Sequence, residues 1–291
     1  MATAKDDQRD LIVKSNHLVE ASYRLSRAEQ RLVLSCISQV QRKSPLTDAV
    51  FYSVHAKDFA QLCGTDQKTA YRDLAEASHR LMKRQITLLR EPDGTERPKR
   101  RRVAVWVQTC DYIEAEGRVE LQFGKAIVPY LSNLEREFTQ YALSEVAALA
   151  SAHAVRIFEL IAQFKDKNSR EVSLEWLRER LELTDRYPIL FDFKKRVLVP
   201  AVEQITAHTG LDLHFTERKT GRRVTHITFH WKKKAQTKAK AKAKTKPAKE
   251  VQIDEGREPP RRAKPTAAAL AARKLAMAAM PKRLSKKAAD E

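Results

Sequence analysis

The stretch Phe191-Asp192-Phe193-Lys194-Lys195-Arg196-Val197-Leu198-Val199-Pro200-Ala201-Val202-Glu203-Gln204-Ile205 decides the fold, together with the two apolar alternations that follow Gly210. Phe193, Val197, Ala201, Val202 and Ile205 recur every three to four residues, the period of one helix face, with Asp192 as the expected N-cap and an end near Gly210. Pro200 predicts a kink, because its ring donates no hydrogen bond and clashes with the Arg196 carbonyl. The period then drops to two. Leu211, Leu213 and Phe215 alternate on one strand, Ile227, Phe229 and Trp231 on the next, with Lys219-Thr220-Gly221 at the turn between them. A helix that feeds a basic hairpin is the second half of a winged helix.

Upstream, Ser173 is placed to cap a helix over 174–181, and a turn follows around 184–188. Residues 138–164 read as mostly helical, with Val155, Phe158, Ile161 and Ala162 as the apolar stripe. The same order occurs earlier in the chain. An extended Leu11-Ile12-Val13 leads to Ser26 and Glu29 at capping-box spacing, and Leu32, Val33, Cys36, Ile37 and Val40 form the buried face of the helix they start, with Pro45 closing the segment. Next come a strand at Phe51-Tyr52-Ser53-Val54, a short helix over 56–63, the turn Gly64-Thr65-Asp66 and a longer helix over 67–85. A hairpin follows from Ile86 to Val107 with a basic tip, Lys99 to Arg102, and a second hairpin turns around Gly117.

The fold class expected is therefore α+β. Two tandem winged-helix domains, each a helix-turn-helix with a β-hairpin wing, occupy residues 1–135 and 136–234, and a disordered basic tail occupies 235–291. In that tail Lys238, Lys242 and Lys246 are spaced by four, so a helix would stack like charges on one face.

The chain carries 56 Lys and Arg against 37 Asp and Glu, a formal +19, which favours a polyanionic partner. Most of that excess lies at one end. From Lys232 onward there are 19 basic and 6 acidic residues, leaving only +6 for residues 1–231. Cys36, Cys63 and Cys110 are odd in number and widely separated, so neither a disulfide framework nor a zinc site is indicated and a reducing cytosol is expected. No apolar run approaches a membrane span, which predicts a soluble, unprocessed, DNA-associated cytoplasmic protein without a membrane partner.

The candidate site residues are cations and their neighbours. Lys194, Lys195 and Arg196 are read in the first turn of the recognition helix, where helix-dipole electrostatics ordinarily favours acids, so three cations there point to phosphate and base edges. Arg218, Lys219, Arg222 and Arg223 cluster at the wing tip beside Gly221. In the N-terminal domain Lys68, Thr69 and Arg72 on the second helix, with Lys99, Arg100, Arg101 and Arg102 on the wing, are expected to contact DNA. The bland alternative for each set is a solvated charged face or an edge-protecting loop.

No catalytic residue, metal or cofactor is expected. His226 and His230 are too far apart along a strand to share an ion, and no His-x-His of a nicking enzyme occurs. Gly124-Lys125-Ala126 lacks the hydroxyl and the upstream glycine of a phosphate loop. Trp106, Trp176 and Trp231 sit in apolar patterns that favour core packing over base stacking.

Several separated phrases resemble the initiator family of theta-replicating, iteron-containing plasmids. They are Val13-Lys14-Ser15-Asn16, Glu20-Ala21-Ser22-Tyr23-Arg24-Leu25-Ser26, Glu29-Gln30-Arg31-Leu32, Gln122-Phe123, Pro129-Tyr130-Leu131, Tyr141-Ala142-Leu143, Arg156-Ile157-Phe158-Glu159-Leu160 and Phe191 through Val202, ending in Gly221-Arg222 and Thr225-His226-Ile227. The resemblance spans about Leu11 to Trp231, and Pro200 recurs in that family. It implies two pseudo-related winged-helix domains that bind origin iterons in double-stranded DNA as a monomer. It also implies a homodimer, formed through the N-terminal domain, that represses the initiator's own promoter. Host replication initiator, helicase and chaperones are implied as partners. The function expected is origin opening and helicase recruitment without enzymatic chemistry; the alternative is a dimeric winged-helix transcription repressor.

Overall fold

Regular structure begins with β1 (Leu11–Ser15), the short helix α1 (Asn16–Val19) and the two-residue strand β2 (Ser22–Tyr23). This is a computed structural model, and it describes residues 10–41, 47–96, 101–132, 134 and 136–234. α2 (Arg27–Ile37) starts at the capping box read from the sequence: Ser26 Oγ accepts from Glu29 N, and Glu29 Oε2 accepts from Ser26 N at 2.7 Å. Pro45 lies outside the described residues. After β3 (Phe51–His55) and α3 (Ala56–Cys63), Gly64 takes a left-handed conformation and Asp66 caps α4 (Gln67–Leu81) by accepting from Thr69 N at 2.9 Å.

The strands that follow do not form one sheet. β4 (Gln85–Leu88) and β5 (Arg102–Val105) make an antiparallel wing that β2 joins, in the order β2-β4-β5. β6 (Val107–Ile113) and β7 (Arg118–Phe123) turn around Gly117 and pair with β3, in the order β3-β7-β6. Where β7 ends, an added Cβ on Gly124 would lie 2.4 Å from the Val105 carbonyl oxygen, so this glycine serves a close backbone approach.

Residues 138–142 correct the helical reading of 138–164. They form β8 (Phe138–Ala142), antiparallel to β1 from Leu11↔Ala142 to Ser15↔Phe138. Thr139 and Tyr141 are buried while Phe138, Gln140 and Ala142 are not, a period-two alternation that β1 completes as partner. α5 (Leu143–Ala147) and α6 (Ala152–Ala162) supply the helical remainder.

The element order then recurs. β9 (Ser169–Ser173) leads to α7 (Leu174–Arg180), capped by Ser173 Oγ accepting from Trp176 N at 3.1 Å. The recognition helix follows in three parts: α8 (Leu190–Phe193), a π turn over Lys194–Leu198 and α9 (Val199–His208). β10 (Leu211–Thr220) and β11 (Arg223–Lys233) form the second wing, and β9 joins it in the order β10-β11-β9.

The start of this helix differs from the expectation. Ile189, not Asp192, is the N-cap residue, because Leu190 packs against the core and draws the start upstream. Asp192 therefore lies within the first turn, where a carboxylate meets the positive end of the helix, and Lys194–Arg196 come one turn later. At Pro200, where the sequence predicts a kink, the helix runs on through an irregular turn. The turn before it widens, with Val199 N–H bonded to the Lys194 carbonyl five residues back, and the missing Pro200 donor is accommodated next to that π turn.

One hydrophobic cluster runs through both halves and includes Phe59, Trp106, Phe123, Phe193, Phe229 and Trp231, all at most 2% exposed. Trp176 is half-buried beside it, with the Arg170 and Arg180 guanidiniums each 5.1 Å from its ring. Among the described residues, no helix is long and apolar enough to cross a membrane.

Candidate nucleic-acid interface

The recognition helix presents two unlike faces. Phe193, Val197, Leu198, Ala201 and Ile205 are sealed in the core, while Lys195 and Arg196 are exposed on the opposite side. Burial of the first set fixes the rotation of the helix, so the two cations point to solvent because their neighbours cannot. Lys195 Nζ lies 5.9 Å from the centroid of the Phe191 ring, one turn earlier on the same face.

Lys194 is placed differently. Its ammonium donates to Glu217 Oε1 at 2.6 Å, and both side chains are half-buried. The bond joins the helix to β10 and sets the wing against the recognition helix. In the unbound protein Lys194 is a paired charge, which separates it from its two neighbours.

The wing cations also separate, because strand residues alternate between faces. Leu213, Phe215 and Glu217 lie on the helix side of β10, and Arg218 falls on the other side. There Arg218 makes a two-pronged pair with Glu171 of β9, at 2.8 and 3.0 Å. This pairing holds the Glu171 carboxyl below the usual carboxylate range, the Arg218 hydrogen bonds being the main cause. Past Arg218 the register slips, so that Arg218 faces His226 while Lys219 faces Val224, and Thr225 is the extra residue of a bulge. Gly221, at φ +62°, then allows a tight turn with Arg222, and Lys219, Arg222 and Arg223 are exposed at the tip.

In the N-terminal half, Lys68 and Arg72 are exposed on α4 and Thr69 is half-buried. Thr69 binds the capping carboxylate of Asp66, and Arg72 contacts Asp73 at 3.3 Å. Lys99 and Arg100 fall outside the described residues. Arg101 donates to Glu179 of α7 at 3.2 Å, and Arg102 stands 3.8 Å from Glu91. One wing cation thus reaches the second half of the chain.

Sequence reasoning missed the charges that hold the halves together. Glu159 of α6 is fully enclosed and bonds Lys14 of β1, Arg156 at 3.1 Å, Tyr141 at 2.5 Å and Tyr23 at 3.3 Å. Burial alone would raise the Glu159 carboxyl, but the Lys14 and Arg156 charges and the hydrogen bonds outweigh it and hold it below the usual range. Arg156 also donates to Tyr23 at 2.6 Å and to the Ala21 carbonyl at 2.8 Å, and Arg180 donates to Ser22 at 2.9 Å. The segment from β1 to β2 is therefore clamped to α6 and α7. Its traces in the sequence are charges inside apolar runs, Lys14 in β1 and Arg156 and Glu159 in α6.

His214 and His230, cross-strand partners in the wing, stack at 5.1 Å with their planes 20° apart. Among the described residues, no group of three or more His, Cys, Asp or Glu is placed to hold a metal ion.

Two family models match the chain. "Initiator Replication protein, WH1" covers residues 11–162, and "Initiator Rep protein, WH2" covers residues 173–231. The chain is 25% identical over 217 residues to a "Replication initiation protein" of Escherichia coli, covering 72% of this chain and 66% of that protein. It is 25% identical over 245 residues to the "PI protein" of Escherichia coli, covering 74% and 80%. Among solved structures it is similar to the Pi initiator protein in complex with iteron DNA, with a TM-score of 0.64, 23% identity and coverage of 77% of this chain and 97% of that one. At that identity the likeness establishes the tandem winged-helix fold.

Proposed function

The chain belongs to the initiator replication protein family, and on that premise we propose that it is a plasmid replication initiator that binds iterons in double-stranded origin DNA. One observation carries the reading: Lys195 and Arg196 stand exposed on a recognition helix whose rotation is fixed by its core face, and whose neighbouring wing is tied to it through Lys194 and Glu217. A helix of this kind enters the major groove while a basic wing tip reaches the adjacent backbone. The "PI protein" relative and the solved complex of the Pi initiator with iteron DNA support the same assignment.

The division of labour follows the expected modules. Residues 136–234 recognise the repeat, with Lys195 and Arg196 reading base edges and Lys219, Arg222 and Arg223 gripping phosphates. Residues 1–135, with Lys68, Thr69 and Arg72 on α4, grip the backbone and form the dimer. Lys194 and Arg218 join the DNA surface only by leaving Glu217 and Glu171, and Arg101 only by leaving Glu179. The tail from 235 adds non-specific attraction. Monomers fill the iterons, dimers repress the promoter, and host helicase is recruited to the opened duplex. All of the DNA chemistry is non-covalent.

Footprinting with the full chain on the DNA that flanks its gene tests this assignment. Protection of several direct repeats beside an AT-rich stretch is the expected result, and protection of a single inverted repeat at a promoter would overturn it. Arg196→Ala is expected to weaken the repeat by about 1–3 kcal/mol and to spare random duplex. Equal losses on both duplexes would reduce Arg196 to a phosphate grip.

A further inference from the structure

Ile189 and Phe191 are the two most exposed large apolar side chains among the described residues, at 62% and 64%. Both lie where the recognition helix begins: Ile189 is its N-cap residue and Phe191 is in its first turn. Phe191, Lys195 and Val199 follow at intervals of four along one outer stripe, and Val199 is also exposed, at 39%. The contact between Lys195 Nζ and the Phe191 ring places the first two side by side. The core face of the helix is made without these apolar groups, by Phe193, Val197, Leu198, Ala201 and Ile205. Leaving Ile189, Phe191 and Val199 in water forgoes the stabilisation that burial of such groups ordinarily brings.

We propose that Phe191 reads thymine C5-methyl groups in the major groove, and so sets base preference where Lys195 and Arg196 supply attraction. The inference rests on the DNA-binding reading above and adds to it the chemistry of the bases read. The first turn of a recognition helix is the part closest to base edges. The thymine methyl is the apolar feature those edges present, and an aromatic side chain is among the groups that contact it. The surroundings argue for DNA as occupant over a second protein. The Lys195 ammonium stands over the ring and the wing tip that follows carries Lys219, Arg222 and Arg223, a concentration of charge that suits a polyanion, whereas lysine is depleted at protein interfaces.

The test uses the full chain and a duplex selected with it from a random-sequence pool. Each thymine of the selected site is replaced in turn by deoxyuridine, which removes only the C5-methyl. Equilibrium binding is then compared for the wild type, Phe191→Ala and Phe191→Leu. At one or two positions, uracil is expected to weaken wild-type binding by about fourfold, the factor that burial of one carbon group brings. Phe191→Ala is expected to weaken the thymine duplex to the same level and to lose the distinction between thymine and uracil, while Phe191→Leu retains it. Circular dichroism checks that the exposed substitution leaves the fold intact. Wild-type indifference to uracil at every position would overturn the inference and leave site-specific binding standing. So would a Phe191→Ala protein with unchanged discrimination, or one that loses self-association and keeps its DNA affinity. Failure of the pool to yield any preferred sequence would instead overturn the DNA-binding reading, and this inference with it.

Discussion

Replacing Glu217 by glutamine tests whether Lys194 is a DNA contact or a strut. The pair joins the recognition helix to the wing at 2.6 Å, with side chains 31% and 24% exposed. Partial exposure limits its contribution to folding, so Glu217→Gln is expected to cost about 0.5–1 kcal/mol in a urea melt. Its effect on DNA binding runs the other way. With the carboxylate gone, Lys194 is free to reach a phosphate, and each phosphate contact steepens the slope of log K against log salt by about 0.9. One added contact is therefore about an eightfold gain in affinity for every tenfold fall in salt. That gain carries no sequence information, so random duplex profits as much as the preferred site and the preference between them stays level or falls. Fluorescence anisotropy on the two duplexes across a salt series reads both slopes. An unchanged slope in Glu217→Gln would refute the reasoning. A full unit lost from the wild-type slope in Lys194→Ala would refute it as well, since it would show Lys194 already on a phosphate with Glu217 in place.

Three further outcomes are expected. Glu159→Gln leaves Lys14 and Arg156 enclosed without their carboxylate and is expected to cost about 3–5 kcal/mol in urea, while Lys14→Met, which leaves Glu159 with Arg156 and two tyrosines, costs distinctly less. Equal losses from the two variants would deny Glu159 its place as the hub. Burial, then Arg24 and Arg186, draw the His153 imidazole down to about 4 from 6.5, so the unfolded chain takes up a proton that the native one refuses. Stability should accordingly be undiminished above pH 6.5 and fall as the pH drops from there towards 4; His153→Gln should reduce the difference between urea midpoints at pH 7.5 and pH 5, and an identical difference would exclude His153 as the cause. Truncation after Lys234 removes the basic tail and is expected to flatten the salt dependence while keeping site preference, with loss of preference counting against a purely electrostatic tail.

Periodicity and capping carried much of the architecture. Ser26 with Glu29, and Ser173 with Trp176, are pairs only three residues apart, so their geometry is local and readable. The alternation of Leu213 and Phe215 against Phe229 and Trp231 likewise gave the second wing and its inner face. The strand at 138–142 was not readable in the same way. Its partner lies at 11–15, and a five-residue alternation that runs directly into helix does not declare itself without that partner. The helix start misled for a similar reason. Asp192 is a good local cap, but the packing of Leu190 against the core outweighed it.

By itself the sequence determined that this chain holds two winged-helix modules with cations along the second recognition helix and its wing, because side-chain period and composition are properties of neighbours. Tertiary structure alone decided which cations are free. Lys194 meets Glu217 across 23 residues, Arg218 meets Glu171 across 47, and Arg101 meets Glu179 across 78, whereas Lys195, Arg196 and the wing-tip residues stand exposed. An ion pair forms where the fold brings opposite charges together, and no spacing along the chain encodes that distance.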